Sequence, residues 1–104
     1  MNGRFVPRSQ LGSRLAERRS AVLAAAARRH AFNVRVFGSV VRGQDGPDSD
    51  VDLLVDLDPV ATPLDLLDLG CDLEEELGVR VDVGTPSSLR PFLRSDVLAE
   101  AVVL

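Results

Sequence analysis

The chain has 104 residues, of which 45% are hydrophobic and 27% charged, and its formal net charge is −4 at pH 7. This composition argues against disorder and low complexity. No apolar run approaches the ~20 residues that a membrane span needs, and the first ten residues lack the apolar stretch of a secretory signal. We therefore expect one cytoplasmic domain with a single core, in which the lone Cys71 forms no internal disulfide.

The charge is divided along the chain. Residues 1–44 contain nine arginines and one acid, a balance of +8, whereas residues 45–104 contain three arginines and 15 acids, a balance of −12. All 12 basic residues are arginines, and tyrosine and tryptophan are missing. An acidic region suits metal ions and a basic region suits phosphates or an acidic partner. The simpler interpretation is two solvated faces that attract each other.

The amino-terminal part of the sequence predicts a helix followed by a strand. We expect residues 1–8 to form a flexible leader and residues 9–104 to form a single domain. Good helix formers predominate from Ser9 to about His30 and predict one helix. Its apolar stripe consists of Leu11, Leu15, Val22 and Ala26. The alternation in residues 34–37 then predicts a short strand.

The middle of the sequence predicts a tight turn and a second strand. Gly38 and Ser39 lie at a strand-to-helix junction, and about one helical turn and a loop over residues 43–49 follow. Polar and apolar residues alternate from Asp50 to Leu57, which predicts a strand with one buried face. Asp50 and Asp52 belong to the more open face.

The remaining sequence predicts a helix, a third strand and a last helix. Thr62 is placed to cap a helix that Gly78 ends, and residues 79–83 alternate as a strand with Asp82 on its more open face. The last helix is predicted from Ser88 or Pro91 to about Val103. Its expected apolar stripe consists of Phe92, Leu93, Val97, Leu98 and Ala101. This order predicts a small α/β (α+β) domain, a mixed sheet with helices packed on one face.

Three aspartates are expected on the open face of the sheet. Residues two apart on a strand point the same way with Cα atoms roughly 6.5 to 7 Å apart, so Asp50 and Asp52 can converge on a hard cation. If the third strand neighbours the second, Asp82 adds a carboxylate from a strand ~5 Å away. Mg²⁺ suits such a site, because it binds a few carboxylates together with water and substrate phosphates.

The turn at Gly38 and Ser39 is a candidate phosphate site. Glycine lets the backbone approach a ligand closely, and the Ser39 hydroxyl and the Arg42 guanidinium would add donors and positive charge. A Gly-Ser pair alone indicates only an ordinary turn. Together with the downstream aspartates, it forms the arrangement of anion site and metal site that nucleotidyl transfer needs.

These motifs resemble a known family. Gly38-Ser39, ten intervening residues and Asp50-Val51-Asp52 are similar to the signature of the polymerase β-like nucleotidyltransferase superfamily. The strings GSVVRG, DSDVDLLV and VRVDVGTPSSLRPFL resemble its minimal nucleotidyltransferase (MNT) group, in which many members are antitoxins encoded beside a HEPN-domain toxin. The resemblance covers roughly residues 10–104.

The resemblance implies a site and a reaction. It implies ATP as donor, two Mg²⁺ ions, and in-line attack of an acceptor hydroxyl on the α-phosphate. The implied metal ligands are Asp50, Asp52 and Asp82, all three also catalytic, and the implied nucleotide-binding residues are Gly38, Ser39 and Arg42. Asp82 would help to deprotonate the acceptor.

The acceptor is expected to come from a partner. The chain ends about 20 residues after Asp82, which leaves little sequence to enclose a small substrate. The resemblance suggests that a tyrosine of a HEPN toxin receives AMP, and the missing tyrosine here is consistent with modification of another chain. The helix with Leu64 and Leu67 offers a surface for a homo-oligomer or hetero-oligomer.

Two other functions stay open. A non-catalytic antitoxin would neutralise its toxin by binding alone, and this neutralisation would be unaffected by removal of the aspartates. A nucleic-acid module would use the arginine-rich first helix, but all four aromatic residues are phenylalanines and no stacking platform is evident.

Overall fold

A four-stranded mixed sheet forms the centre of the fold. The computed structural model describes residues 3–104. The strands are β1 (Ala31–Phe37), β2 (Val51–Leu57), β3 (Val81–Gly84) and β4 (Val102–Val103), in the order β3-β2-β1-β4. β1 is antiparallel to both β2 and β4, whereas β2 and β3 are parallel. This confirms the predicted mixed sheet.

Within the described part of the chain, five α-helices and one short 3₁₀ segment (Pro86–Ser88) complete the fold. The α-helices are α1 (Gln10–Glu17), α2 (Arg19–Arg28), α3 (Ser39–Arg42), α4 (Pro63–Leu77) and α5 (Pro91–Glu100). α4 has the predicted ends: the Thr62 hydroxyl accepts the Asp65 N–H, the Asp65 carboxylate accepts the Thr62 N–H, and Gly78 ends the helix with a left-handed φ of 70°. No helix within residues 3–104 is long and apolar enough to cross a membrane.

The core lies between the sheet and the helices on one of its faces. α2 packs on β1 and α4 packs on β3. Val51, Leu53 and Val55 of β2 are fully buried against this layer. On the opposite face of β2, Leu54 is also fully buried, whereas Asp52 is only half-buried. This second face carries the candidate site.

The predicted long first helix is wrong at Arg18. The backbone leaves helical geometry there (φ −96°, ψ 13°), which separates α1 from α2. Two neighbouring side chains are held by different parts of the chain, since Arg18 pairs with Glu76 at 3.0 Å and Nε of Arg19 donates to the Leu104 carbonyl at 2.7 Å. Such tertiary contacts outweigh local helix propensity.

The prediction makes the last helix too long, and it is wrong to place the apolar stripe of this helix in the core. α5 ends at Glu100, because Ala101 is extended (φ −61°, ψ 135°) and leads the chain into pairing of β4 with β1. The side chains of Phe92, Leu93 and Leu98 are 70%, 43% and 43% exposed. No residue of α5 is buried.

The segment before α1 is partly packed. Phe5 is buried in the core and its N–H donates to the Val103 carbonyl at 2.7 Å, so at this residue the structure differs from the flexible leader expected over residues 1–8. Met1 and Asn2 of that expected leader lie outside the described residues.

Candidate active site

Asp52 lies at the centre of the candidate site. In the sheet it is the register partner of Asp82 on β3 and of Phe37 on β1. Register partners share one face of a sheet, so Asp52 and Asp82 lie side by side. The expectation that the third strand neighbours the second is therefore confirmed. Asp50 stands one residue before β2, and its Oδ1 lies 3.8 Å from Nε of the exposed Arg80.

The electrostatics of this face centre on Asp52. The pKa of the Asp52 carboxyl is raised to about 6, chiefly by burial and then by the neighbouring negative charges of Asp82, Asp50 and Glu100, while the positive charge of Arg42 lowers it. The carboxylates around Asp52 thus carry more negative charge than Arg42 balances. Bound positive charge would relieve this repulsion.

Gly38 brings the turn after β1 against Asp52. Its backbone has φ 83° and ψ −157°, a conformation almost restricted to glycine. A Cβ at this position would lie 3.2 Å from Cγ of Asp52 and closer still to Oδ2. The predicted turn therefore lies against one of the predicted aspartates, Asp52.

Glu100 is part of this site, although no sequence motif indicates it. The Gly38 N–H donates to Oε1 of Glu100 at 2.5 Å, and Nη1 of Arg42 donates to Oε2 at 2.6 Å. Nε of Arg42 also donates to the Gln44 side chain at 2.9 Å. Glu100 is 62 residues from Gly38 in sequence. The sequence predicts that the last helix continues past Glu100, whereas in the structure the helix ends there and β4 follows, so the contact could not be predicted.

The remaining predicted residue, Ser39, begins α3 directly after Gly38 and is half-buried. Its carbonyl accepts the Gln44 N–H at 2.9 Å, which closes the turn. The structure therefore brings Gly38, Ser39 and Arg42 to one side of Asp52, and Asp82 to the other.

The donor chemistry of the aspartates fits a hard cation. Mg²⁺ prefers carboxylate oxygens and completes its coordination with water and phosphate oxygens, and the accumulated negative charge around Asp52 favours a cation. Within residues 3–104, however, no group of three or more His, Cys, Asp or Glu side chains is assembled as a metal cage. The site is open, with Asp82 itself exposed.

A mixed sheet with a glycine turn against a strand carboxylate is the arrangement expected of a nucleotidyltransferase fold. The family model for the nucleotidyltransferase domain matches residues 20–104. The chain is 46% identical over 77 residues to the protein adenylyltransferase MntA of Thermococcus cleftensis, an alignment that covers 71% of this chain and 78% of that protein. The chain therefore belongs to the nucleotidyltransferase domain family, and it is a nucleotidyltransferase.

Solved structures show the same fold. One, described as a minimal nucleotidyltransferase, has a TM-score of 0.79 and 50% sequence identity, over 90% of this chain and 95% of that chain. A toxin–antitoxin structure with AMP-PNP has a TM-score of 0.69 and 19% identity, over 81% of this chain and 69% of that chain. At the lower identity the likeness concerns the fold alone. The first match supports the assignment to the minimal nucleotidyltransferases.

Proposed function

We propose that this chain transfers AMP from ATP to a tyrosine hydroxyl of a HEPN-domain toxin and acts, in the cytoplasm, as the antitoxin of that partner. The observation that carries the proposal is the contact between the Gly38 turn and Asp52, beside Asp82. The relative in T. cleftensis is named as a protein adenylyltransferase, and the fold is shared with a toxin–antitoxin structure that holds AMP-PNP.

The turn supplies the groups that would bind the triphosphate. The Gly38 N–H and the Arg42 guanidinium already hold the two oxygens of one carboxylate, so both donors point at a common anion position. Phosphate oxygens make the same charge-assisted hydrogen bonds. The Ser39 hydroxyl, next to Gly38, would add a further donor.

The aspartates would hold the metal and handle the proton. Asp50, Asp52 and Asp82 would bind Mg²⁺, two ions by analogy with the family, and the bound metal would neutralise charge on the phosphates and on the leaving pyrophosphate. The acceptor oxygen forms a bond to the α-phosphorus while the bond to the bridging oxygen of pyrophosphate breaks. Asp82 is exposed and would accept the proton that the acceptor hydroxyl loses.

An acceptor carried by another protein fits the shape of the site. Asp82 also lines a shallow cavity of about 300 Å³ beside the edge strand β3. The other lining residues are Pro63, Leu66, Leu67, Gly70, Val81 and Val83. Leu67 is 65% exposed, so an apolar surface leads directly to the proposed base. Such a surface suits a protein segment that carries an aromatic hydroxyl.

The proposal is tested with ATP labelled at the α-phosphate and the protein encoded by the neighbouring gene, which the proposal expects to be a HEPN protein. We expect the label on the HEPN protein, and none when the label is placed on the γ-phosphate. Changing the acceptor tyrosine of that protein to phenylalanine should remove the label. Efficient labelling of a free aminoglycoside, with none of the HEPN protein, would overturn the proposed acceptor.

A further inference from the structure

The carboxylate of Glu100 lies where the proposed function needs a phosphate. Both of its oxygens are engaged, Oε1 by the Gly38 N–H at 2.5 Å and Oε2 by Arg42 at 2.6 Å. These are the two donors assigned to the nucleotide. A carboxylate and a phosphate cannot satisfy the same two donors at once, so the contact and the nucleotide exclude each other.

The position of the Glu100 carboxylate depends on its ion pair with Arg42, because the other charges nearby repel it. Its negative charge acts on Asp52 in the same direction as those of Asp82 and Asp50, so the carboxylate adds repulsion to an already acidic pocket. Among residues 3–104, Arg42 is the one basic side chain that pairs with it. A triphosphate that takes Arg42 would leave Glu100 without its main attraction.

The position of Glu100 in the chain would let it leave without disturbing the fold. It is the last residue of α5, a helix with no buried residue, and the backbone beyond it is fixed by the pairing of β4 with β1. A glutamate side chain has three rotatable bonds, and this one is 28% exposed. Rotation of the side chain alone would therefore clear the position.

We propose that Glu100 is a built-in competitor for the nucleotide phosphates, which occupies their position in the free chain and is displaced when ATP binds. The inference rests on the proposed function, because it takes the Gly38 turn as the phosphate site. Its consequence is a lowered ATP affinity and a preference for ligands with several phosphates. A single weak anion does not replace two charge-assisted hydrogen bonds, whereas a triphosphate does.

The test compares ATP binding by the wild-type chain, by Glu100→Gln and by Asp96→Asn. Calorimetric titration with ATP and Mg²⁺ in the absence of any acceptor gives Kd for each. Asp96 is exposed on α5 one turn before Glu100, so its variant controls for the general loss of one negative charge from this helix. The chemical shift of the Gly38 amide proton provides a second readout that needs no nucleotide.

We expect Glu100→Gln to lower Kd for ATP about tenfold, the equivalent of one hydrogen bond to a charged group, and Asp96→Asn to change it less than about twofold. The Gly38 amide proton should move upfield in Glu100→Gln and should not move in Asp96→Asn. An unchanged or higher Kd in Glu100→Gln would overturn the inference and make Glu100 a positioning residue for Arg42. Absence of ATP binding by both wild type and Glu100→Gln would instead contradict the proposed function.

Discussion

Gly38 is the residue at which the backbone passes closest to the proposed metal ligands. Its positive φ with an extended ψ suits glycine almost alone, and a Cβ would overlap Asp52. We expect Gly38→Ala to lower the free energy of unfolding by about 1–3 kcal/mol, measured by urea denaturation. Gly46→Ala is the matched control, because a Cβ there meets nothing within 4 Å. Equal losses in both variants would show that the Gly38 conformation is not required.

Asp52 should give stability an unusual pH dependence. Its pKa in the folded chain is about 6, above the ordinary 3.8, so folding favours the protonated carboxyl. That contribution is fully present below about pH 4 and is lost as the pH rises through about 6. Asp52→Asn should therefore be more stable than wild type at pH 7, by about 1 kcal/mol after allowance for solvent screening of this half-exposed group.

Urea denaturation in metal-free buffer at pH 4 and pH 7 checks this difference. The gain from Asp52→Asn should be small at pH 4 and larger at pH 7. Asp48→Asn, an exposed acid in the loop before β2, should show no such growth. A variant less stable than wild type at pH 7 would mean that the Asp52 charge is stabilising, against the electrostatics described above.

At the scale of elements, α5 and α4 differ in how they are held. α4 buries Leu69, Leu73 and Leu77, whereas α5 buries none of its residues. We expect Leu73→Ala to cost about 2–5 kcal/mol of unfolding free energy, and Phe92→Ala, at a side chain 70% exposed, less than about 0.5 kcal/mol. Thermal or urea denaturation of the isolated chain measures both. A large loss in Phe92→Ala would show that α5 packs more closely than the structure indicates.

The elements with their own end signals were predictable from the sequence. Thr62, Pro63 and Gly78 mark the ends of α4, and the alternation from Asp50 to Leu57 marks β2. The break at Arg18 and the strand β4 have no such signal. Arg18 is a good helix former whose conformation follows from contacts with distant residues, and β4 is only two residues long and exists through its pairing with β1.

Across the whole molecule, ion pairs connect the basic segment (residues 1–44) with the acidic segment (residues 45–104). Five ion pairs within the described residues join an arginine of residues 1–44 to an acid of residues 45–104. They are Arg18–Glu76, Arg29–Asp68, Arg29–Asp72, Arg35–Asp56 and Arg42–Glu100. These pairs involve four of the nine arginines of residues 1–44 and five of the 15 acids of residues 45–104, so the simple interpretation of two attracting faces describes part of the charge. Ion pairs near the surface each contribute little stability.

Part of the candidate site could be predicted from the sequence, because some of its residues are related by local spacing. The period of a strand predicts that Asp50 and Asp52 share a face, and Gly38 and Ser39 precede them at a spacing typical of the family. Asp82 lies beside Asp52 only if β3 neighbours β2, and the sequence alone does not determine this strand order. The parallel pairing of β2 and β3 in the structure establishes it. Glu100 depends on where the chain turns after α5, and sequence spacing contains no information on that turn.

We propose above all that the aspartates beside the Gly38 turn are the catalytic groups of nucleotidyl transfer. The most direct measurement is incorporation of label from α-phosphate-labelled ATP into the HEPN protein by the double variant Asp50→Asn, Asp52→Asn. Glu75→Gln with Asp96→Asn, two exposed acids outside the site, is the control with the same change in charge. We predict that the aspartate variant keeps its circular dichroism spectrum and loses incorporation, while the control retains it. Undiminished incorporation by the folded aspartate variant would contradict the claim, and toxin neutralisation without incorporation would assign the antitoxin effect to binding alone.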